Sequence, residues 1–173
     1  MTVIDWLLDS DPSIRWHLHA EEGQVGTDAA DRRFVAPEDV ETMVFDWGVL
    51  KWLSEIRVTG SGIAAGIVVL QPGKGHLPHN HAGSEEILYY LAGEGDQMIE
   101  DDDGKPMLRH VRAGEIAYIP AGVYHGTENT GSEPMHLLAI YSPGGPEAIL
   151  RAQPDCITLP AGEWPALGRT AQR

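Results

Sequence analysis

Residues 73–93 read GKGHLPHNHAGSEEILYYLAG, in which two histidines are separated by one residue and a glutamate follows. Residues 114–129 read GEIAYIPAGVYHGTEN and contribute a third histidine. The side chains of interest are His79, His81, Glu86 and His125. Neutral imidazoles and a carboxylate form a ligand set for a divalent transition metal, with coordination positions left open for other molecules. The two stretches therefore predict a metal centre that serves either as a reaction centre or as a binding centre.

The spacing of the candidate ligands suits an extended backbone. Side chains two positions apart in a strand point to the same face, so His79 and His81 are expected to converge on one ion. Glu86 begins the next strand after a short, turn-prone linker, and His125 arrives from a separate hairpin. Glu85 competes with Glu86 for the ligand role, because adjacent residues of a strand face opposite sides.

From about residue 44 onward, short β-rich runs alternate with glycine and proline. Glycines such as Gly73, Gly93, Gly114 and Gly122 are expected where the chain turns sharply. Short strands at this spacing predict an all-β sandwich or barrel. The predicted strands lie near residues 49–59, 62–71, 84–92, 95–100, 107–111, 116–119, 126–129 and 135–141.

Both quoted stretches, with their spacings, match the two motifs of the cupin superfamily, which the chain resembles over roughly residues 60–143. The resemblance implies an antiparallel double-stranded β-helix, or jelly-roll barrel, with a metal ion inside its mouth. It also implies that the ligands are His79, His81, Glu86 and His125. Asn129 is expected to be a structural residue of the second motif only.

The flanking segments predict a single barrel domain with two appendages. Residues 1–43 are expected to form an N-terminal arm with short helices, because Pro12 and Pro37 each suit a first helical position. The barrel is predicted over residues 44–143. Residues 144–173 are predicted to form an extended C-terminal tail, since prolines recur along it.

Composition narrows the classes of partner. The net charge of −14 argues against nucleic acid or an anionic membrane, because phosphate binding depends on clustered lysine and arginine. The sequence has no apolar run near the ~18 residues of a membrane span and no signal-peptide pattern at its start. Cys156 is the single cysteine, which favours a cytoplasmic location. The aromatic-rich arm and the tail have surface to bury, so a homodimer is expected.

Two residues near the predicted centre are candidates for acid/base work. His76 lies three positions before the first histidine ligand, and its alternative is an ordinary surface loop position. Tyr90 shares a strand face with Glu86 by alternation, and its alternative is packing inside the barrel. Lys51 and Arg57 on an early strand could bind a substrate carboxylate if their side chains turn inward.

The predicted centre favours a metal-dependent enzyme with a small-molecule substrate. Fe(II) is the expected ion, with Mn, Ni, Co, Cu or Zn as possible replacements, because imidazole discriminates weakly among these metals. The leading hypothesis is a non-haem dioxygenase that acts on a diketone, an enol or a phenol. One alternative is a Lewis-acid isomerase, decarboxylase or lyase, and another is a non-enzymatic module that binds a small molecule or metal.

Overall fold

The computed structural model describes residues 33–165, and over this range the regular secondary structure is almost wholly β-strand. A 3-10 helix, Pro37–Asp39, occupies the position at which Pro37 predicts a short helix. The helix predicted to begin near Pro12 lies outside the described residues. The strands are β1 (Thr42–Phe45), β2 (Gly48–Ser54), β3 (Ala64–Leu70), β4 (Gly75–His79), β5 (Glu85–Ala92), β6 (Glu94–Glu100), β7 (Pro106–Arg112), β8 (Ile116–Ile119), β9 (His125–Glu128), β10 (Met135–Ser142) and β11 (Ile157–Leu159), and the α-helix is α1 (Pro146–Arg151).

The strands form two sheets in which the described pairings are antiparallel. The larger sheet has seven strands in the order β11-β1-β2-β3-β10-β5-β8, and the smaller has four in the order β4-β9-β6-β7. The predicted all-β, antiparallel jelly-roll architecture is confirmed. Because chain neighbours such as β4 and β5 lie in different sheets, each motif spans both sheets.

Alternation along the strands decides which side chains enter the interior. In β10, Met135, Leu137, Ala139 and Tyr141 are buried, whereas the residues between them remain partly exposed. Strand β5 shows the same period of two residues over its first six positions. Each fully buried large apolar side chain contributes about 1.5–3 kcal/mol to stability. The two sheets share one core, since Val111 of β7 packs in the same cluster as residues of β2, β3, β5 and β10.

Strand β4 was not predicted from the sequence, because its sequence resembles that of a loop. It contains Pro78, which lacks a backbone N–H, and its pairing with β9 shifts register between His76 and His79. Proline is tolerated there because β4 is an edge strand of the smaller sheet. The edge position matters for function, since it leaves the histidines of β4 beside open space.

Part of the predicted extended tail is a strand. Residues Ile157–Leu159 form β11 and pair with β1, with Thr42 opposite Leu159. The segment is too short for a sequence pattern to reveal its pairing. The consequence is that the C-terminal segment is held against the barrel at the end of the larger sheet.

Helix α1 is attached to the barrel by a partly buried ion-pair network. Arg151 Nε lies 2.7 Å from Glu41 Oε1, and an Arg151 terminal nitrogen lies 2.6 Å from Glu55 Oε1. Glu55 is buried, so its charge depends on this pairing. Among the described residues, no helix has the length and apolar character required to cross a membrane.

Candidate metal centre

The four predicted ligand residues come together in the structure. One nitrogen from each of His79, His81 and His125 lies within 4.8 Å of the other two. Glu86 Oε2 lies 2.8 Å from His125 Nε2 and 3.5 Å from His81 Nε2. Glu86 points inward from β5, while the neighbouring carboxylate of Glu85 faces outward. The structure therefore favours Glu86 over Glu85 at the centre.

Different elements position these side chains. His79 ends β4 and His125 begins β9, where the two residues are paired opposite each other. His81 lies just beyond β4 instead of sharing its face, because the strand ends at His79. Its position is fixed by the second motif, since the N–H of Gly122 donates to the carbonyl of His81 at 2.9 Å. Gly122 has a φ of 80°, a value that favours glycine.

Two of the imidazoles are oriented by backbone carbonyls. His79 Nδ1 lies 2.8 Å from the carbonyl oxygen of Leu77, and His125 Nδ1 lies 2.9 Å from that of Val123. A carbonyl oxygen can only accept, so each Nδ1 must carry the proton and donate. The Nε2 lone pair of each neutral ring is then available for a ligand, as is usual for histidines that bind metal.

The polar atoms at the centre satisfy the chemical requirement for a cation. His81 Nε2, His125 Nε2 and Glu86 Oε2 are buried and have no hydrogen-bond partner. The short contact of Glu86 with His125 therefore lacks hydrogen-bond geometry, although the two atoms are close. A buried polar group without a partner costs about 1–3 kcal/mol. A divalent ion bound by imidazole nitrogens and a carboxylate oxygen would remove this cost, so the residues present fit a metal.

Burial sets the charge of the imidazoles. It lowers the pKa of His79, and it lowers the pKa of His81 to about 4. Both rings are therefore neutral near pH 7, the form that binds metal. Burial alone would raise the pKa of Glu86, but contacts with His125, then Tyr141, outweigh it and lower that pKa. Burial opposes protonation of His125 as well, yet the Glu86 carboxylate raises its pKa overall.

Tyr141 belongs to the centre and was not identified from the sequence. It is paired opposite Glu86 across β10 and β5, and the two side chains are close enough to shift each other's pKa. Its ring meets the ring of His81 edge-on, with centroids 5.0 Å apart. Burial, followed by the Glu86 charge, raises the pKa of Tyr141 well above its usual value. Alternation in β10 placed Tyr141 inside, but no local signal linked it to Glu86.

His76 lies on β4, so its interpretation as an ordinary surface loop histidine is wrong. Its Nε2 is buried without a hydrogen-bond partner, and its ring packs edge-on against Trp47 with centroids 4.2 Å apart. The ring of His79 lies 5.6 Å away. Burial, followed by the neighbouring histidine His79, lowers the pKa of His76 to about 4. A neutral imidazole thus stands beside the candidate ligands.

Tyr90, the other predicted acid/base candidate, is buried in the core. Its hydroxyl donates to Gln97 Oε1 at 3.0 Å, and Thr127 donates to the same oxygen at 2.6 Å. Burial, and secondly the charge of Glu86, raises the pKa of Tyr90. Tyr90 is not among the described residues that line the two cavities near the centre. The geometry favours the packing role that the sequence left open.

The two cations considered for a substrate carboxylate are engaged elsewhere. Lys51 is buried, with Nζ 3.1 Å from the carbonyl oxygen of Val40 and 4.5 Å from the ring centroid of Trp164. Arg57 lies in a turn after β2, and its guanidinium is 3.8 Å from Glu41. Neither residue lines the described cavities at the centre. Asn129, expected to be structural, donates from Nδ2 to the carbonyls of Leu70 and Glu133.

Two cavities reach the histidines. An outer cavity of about 720 Å³ is bounded by His76, His79 and His81 on one side and by residues of α1 on the other. An inner cavity of about 10 Å³ reaches Glu86 and His125 and is otherwise lined mainly by aliphatic side chains of β3, β5 and β10. His76 and His79 line both cavities. An organic ligand can therefore approach the centre only through the outer of these two cavities.

Comparison with known proteins agrees with the fold. Residues 66–141 match the family model described as a cupin domain. The chain is 32% identical over 79 residues to oxalate decarboxylase OxdC of Bacillus subtilis, a match that covers 46% of this chain and 20% of that protein. It is 38% identical over 68 residues to a glucose-6-phosphate isomerase of Thermococcus gammatolerans, a match that covers 39% of this chain and 35% of that protein. An oxalate-binding protein of Thermotoga maritima is 37% identical over 71 residues, a match that covers 41% of this chain and 54% of that protein. The chain thus matches only part of each relative.

Solved structures show the same architecture. A structure of Bacillus subtilis oxalate decarboxylase, described for its Mn(II) centres, aligns with a TM-score of 0.52 and 26% identity over 56% of this chain and 26% of that one. Another structure of this enzyme, at pH 4.6, aligns with a TM-score of 0.54 and 24% identity, over 65% of this chain and 33% of that one. The second likeness bears on the fold alone.

Proposed function

The chain belongs to the cupin superfamily, and we propose that it is a metal-dependent enzyme whose substrate is a small organic molecule that chelates through oxygen atoms. The observation that carries this proposal is the convergence of three imidazoles and one carboxylate. Three of their atoms, on His81, His125 and Glu86, are buried without other partners. Such a ligand set leaves coordination positions for a substrate.

Within this proposal, dioxygenase chemistry on a diketone, an enol or a phenol is the leading candidate. When bound, Fe(II) would supply the electrons that oxygen activation requires. The chain's own contribution is to orient the imidazoles through the carbonyls of Leu77 and Val123 and to exclude water. The inner cavity, mainly aliphatic and about 10 Å³ in volume, keeps bulk solvent from Glu86 and His125.

A second candidate is Lewis-acid chemistry without oxygen, such as decarboxylation or isomerisation. Two observations favour it. Relatives over part of the chain are named oxalate decarboxylase and glucose-6-phosphate isomerase. His76 also offers a neutral, buried Nε2 in the cavity wall, where it could accept a proton from a bound substrate. In this version Mn(II) is the favoured ion, as in the decarboxylase structure described for its Mn(II) centres.

Oxygen dependence separates the two candidates. Protein reconstituted with Fe(II) or Mn(II) is incubated with a panel of diketones, catechols and small carboxylates, with and without air. We expect oxygen consumption coupled to loss of a diketone or catechol in the Fe(II) form. The matched control is His125→Ala, which removes one candidate ligand while leaving the lining of the outer cavity in place.

Other outcomes would point away from the leading candidate. Turnover under strict anaerobiosis would exclude the dioxygenase and support Lewis-acid chemistry. Ligand binding without turnover of any compound, unchanged in His81→Ala, would favour a non-enzymatic binding module instead.

Assembly and location remain separate predictions from the sequence. We propose a cytoplasmic homodimer. Light scattering tests the assembly, and a monomer at micromolar concentration would contradict it.

A further inference from the structure

The outer cavity has two facing walls that carry exposed aliphatic side chains. Leu77 on β4 is 84% exposed, and Ile149 on α1 is 66% exposed, although both line the cavity. Trp47 and Leu150 add apolar surface deeper in the walls. A ligand that covers such surface gains about 25 cal/mol for each Å² removed from water. The walls are therefore suited to an apolar molecule.

The charges around this cavity disfavour anions. Among the described lining residues, Asp46, Glu128 and Asp155 carry carboxylates, and Lys74 is the one lysine or arginine. Lys74 Nζ lies 3.3 Å from Asp46 Oδ2, so its charge is already compensated. A divalent ion at the centre would attract a chelating oxygen, but the rim would repel a second negative charge farther out. The cavity therefore selects against dianions.

The helical wall is held in a fixed place. Arg151, the last residue of α1, forms ion pairs with Glu41 and the buried Glu55. Ile149 and Leu150 belong to the same helix, so their positions relative to β4 are set by this attachment. A wall fixed in this way can discriminate between ligands by shape, because it does not have to be ordered when a ligand binds.

We propose that the substrate has one oxygen-chelating end and a neutral, apolar body, which lies between β4 and α1, and that Leu77 and Ile149 determine this specificity. The inference rests on the proposed function, because it assumes that the chelating end binds a metal at the histidines. It separates this chain from relatives named for oxalate and glucose 6-phosphate, whose ligands are anions without an apolar body.

The test measures binding, not turnover. Metal-loaded protein is titrated calorimetrically with acetylacetone, benzoylacetone and oxalate, and its metal content is measured before and after each titration. Benzoylacetone is expected to bind about 10-fold more tightly than acetylacetone, because its phenyl group covers apolar wall. Oxalate is expected to bind most weakly. Oxalate affinity equal to or above that of benzoylacetone would overturn the inference.

Substitutions locate the effect. Ile149→Lys is expected to remove the preference for benzoylacetone over acetylacetone and to strengthen oxalate binding. Ile157→Lys is the matched control, since Ile157 is 62% exposed on β11 and does not line the cavity. Ile149→Ser provides a second variant that removes the apolar surface without adding charge, and it should weaken benzoylacetone selectively.

The outcomes distinguish the inference from the proposed function. If the probes bind metal-loaded protein without preference, or if Ile149→Lys behaves like Ile157→Lys, the substrate class is wrong and the metal site stands. If no probe binds to fully metal-loaded protein, both the inferred substrate class and the proposed chelating substrate are wrong.

Discussion

At the scale of single residues, the centre depends on an outer partner that orients a ligand. Tyr141 is paired opposite Glu86, interacts with its carboxylate and packs its ring against His81. Groups of this kind fix the direction of a ligand and its basicity, and their loss typically costs about 10–100-fold in metal affinity. Tyr141→Phe removes only the hydroxyl.

We therefore predict that Tyr141→Phe weakens metal binding by about 10-fold or more while the fold is retained. Metal affinity is measured by competition with a chromophoric chelator. Tyr90→Phe is the matched control, since Tyr90 is also buried but donates to Gln97. Equal effects of the two substitutions would contradict a specific role for Tyr141.

A histidine far from the centre gives a pH prediction. His110 Nδ1 lies 2.9 Å from Asp96 Oδ1, and its Nε2 lies 3.6 Å from Glu94. The hydrogen bond to Asp96 raises the pKa of His110. Because the folded-state pKa is the higher one, the stabilisation is complete below the unfolded pKa of about 6.5 and is lost as pH rises through the folded value.

His110→Gln should therefore destabilise the protein at acidic pH and have less effect at alkaline pH. The measurement is the difference in denaturant midpoint between the variant and the unsubstituted protein at several pH values. A difference that does not change with pH would refute the assignment.

The candidate ligand residues could be named from the sequence because their chemistry is local. His79, His81, Glu86 and His125 are recognisable by residue type and spacing, whatever surrounds them. The places of Tyr141 and His76 could not be predicted in this way. The place of Tyr141 depends on its register opposite Glu86. The place of His76 depends on β4, a strand that is hard to recognise from the sequence because it contains a proline.

At the scale of elements, strand β4 is positioned by close approach to β9. A Cβ atom added to Gly75 would lie 2.0 Å from the carbonyl oxygen of Thr127, which belongs to the backbone and cannot move aside alone. Gly75 lies next to His76 and shares β4 with His79. Any side chain at this position must push the strand away from its partner.

Gly75→Ala is expected to cost about 1–3 kcal/mol of stability and to lower metal affinity, because β4 carries His79. Denaturant unfolding and chelator competition measure the two effects. Gly62→Ala is the control, since an added Cβ there meets no atom within 4 Å. Unchanged metal affinity in a folded Gly75→Ala protein would show that the spacing of β4 and β9 does not control the centre.

The attachment of helix α1 to the barrel depends on an ion pair between Arg151 and Glu55. Arg151 compensates the buried carboxylate of Glu55, so removing the guanidinium leaves that charge without its partner. Arg151→Ala should lower the free energy of unfolding by about 3 kcal/mol. Arg109→Ala, which breaks the exposed pair with Glu115, should cost no more than about 1 kcal/mol. Similar losses in the two variants would count against the network.

Elements were predictable where alternation is strong. Strands such as β5 and β10 show a clear period of two, and their ends lie within a few residues of the predicted ones. Strands β1, β4 and β11 were missed because they are short or contain proline, and β4 and β11 also pair with strands far away along the chain. Tertiary pairing, which a local pattern does not contain, stabilises them.

At the scale of the whole molecule, two antiparallel sheets bring distant motifs to one point. His79 and His125 are opposite each other in the smaller sheet, while Glu86 reaches them from the larger one. The glycine and proline positions that punctuate the sequence were enough to predict a sandwich or barrel, and the resemblance of the two motifs to the cupins implied the jelly roll. The cavity between β4 and α1 was not predictable, because it depends on how a C-terminal helix docks on a barrel edge.

The central claim is that the converging histidines and glutamate bind one metal ion. Elemental analysis of the purified protein, before and after reconstitution with Fe(II) or Mn(II), tests it most directly. We expect about one divalent transition-metal ion per chain, lost in His125→Ala. A chain that binds no such ion even after reconstitution would contradict it.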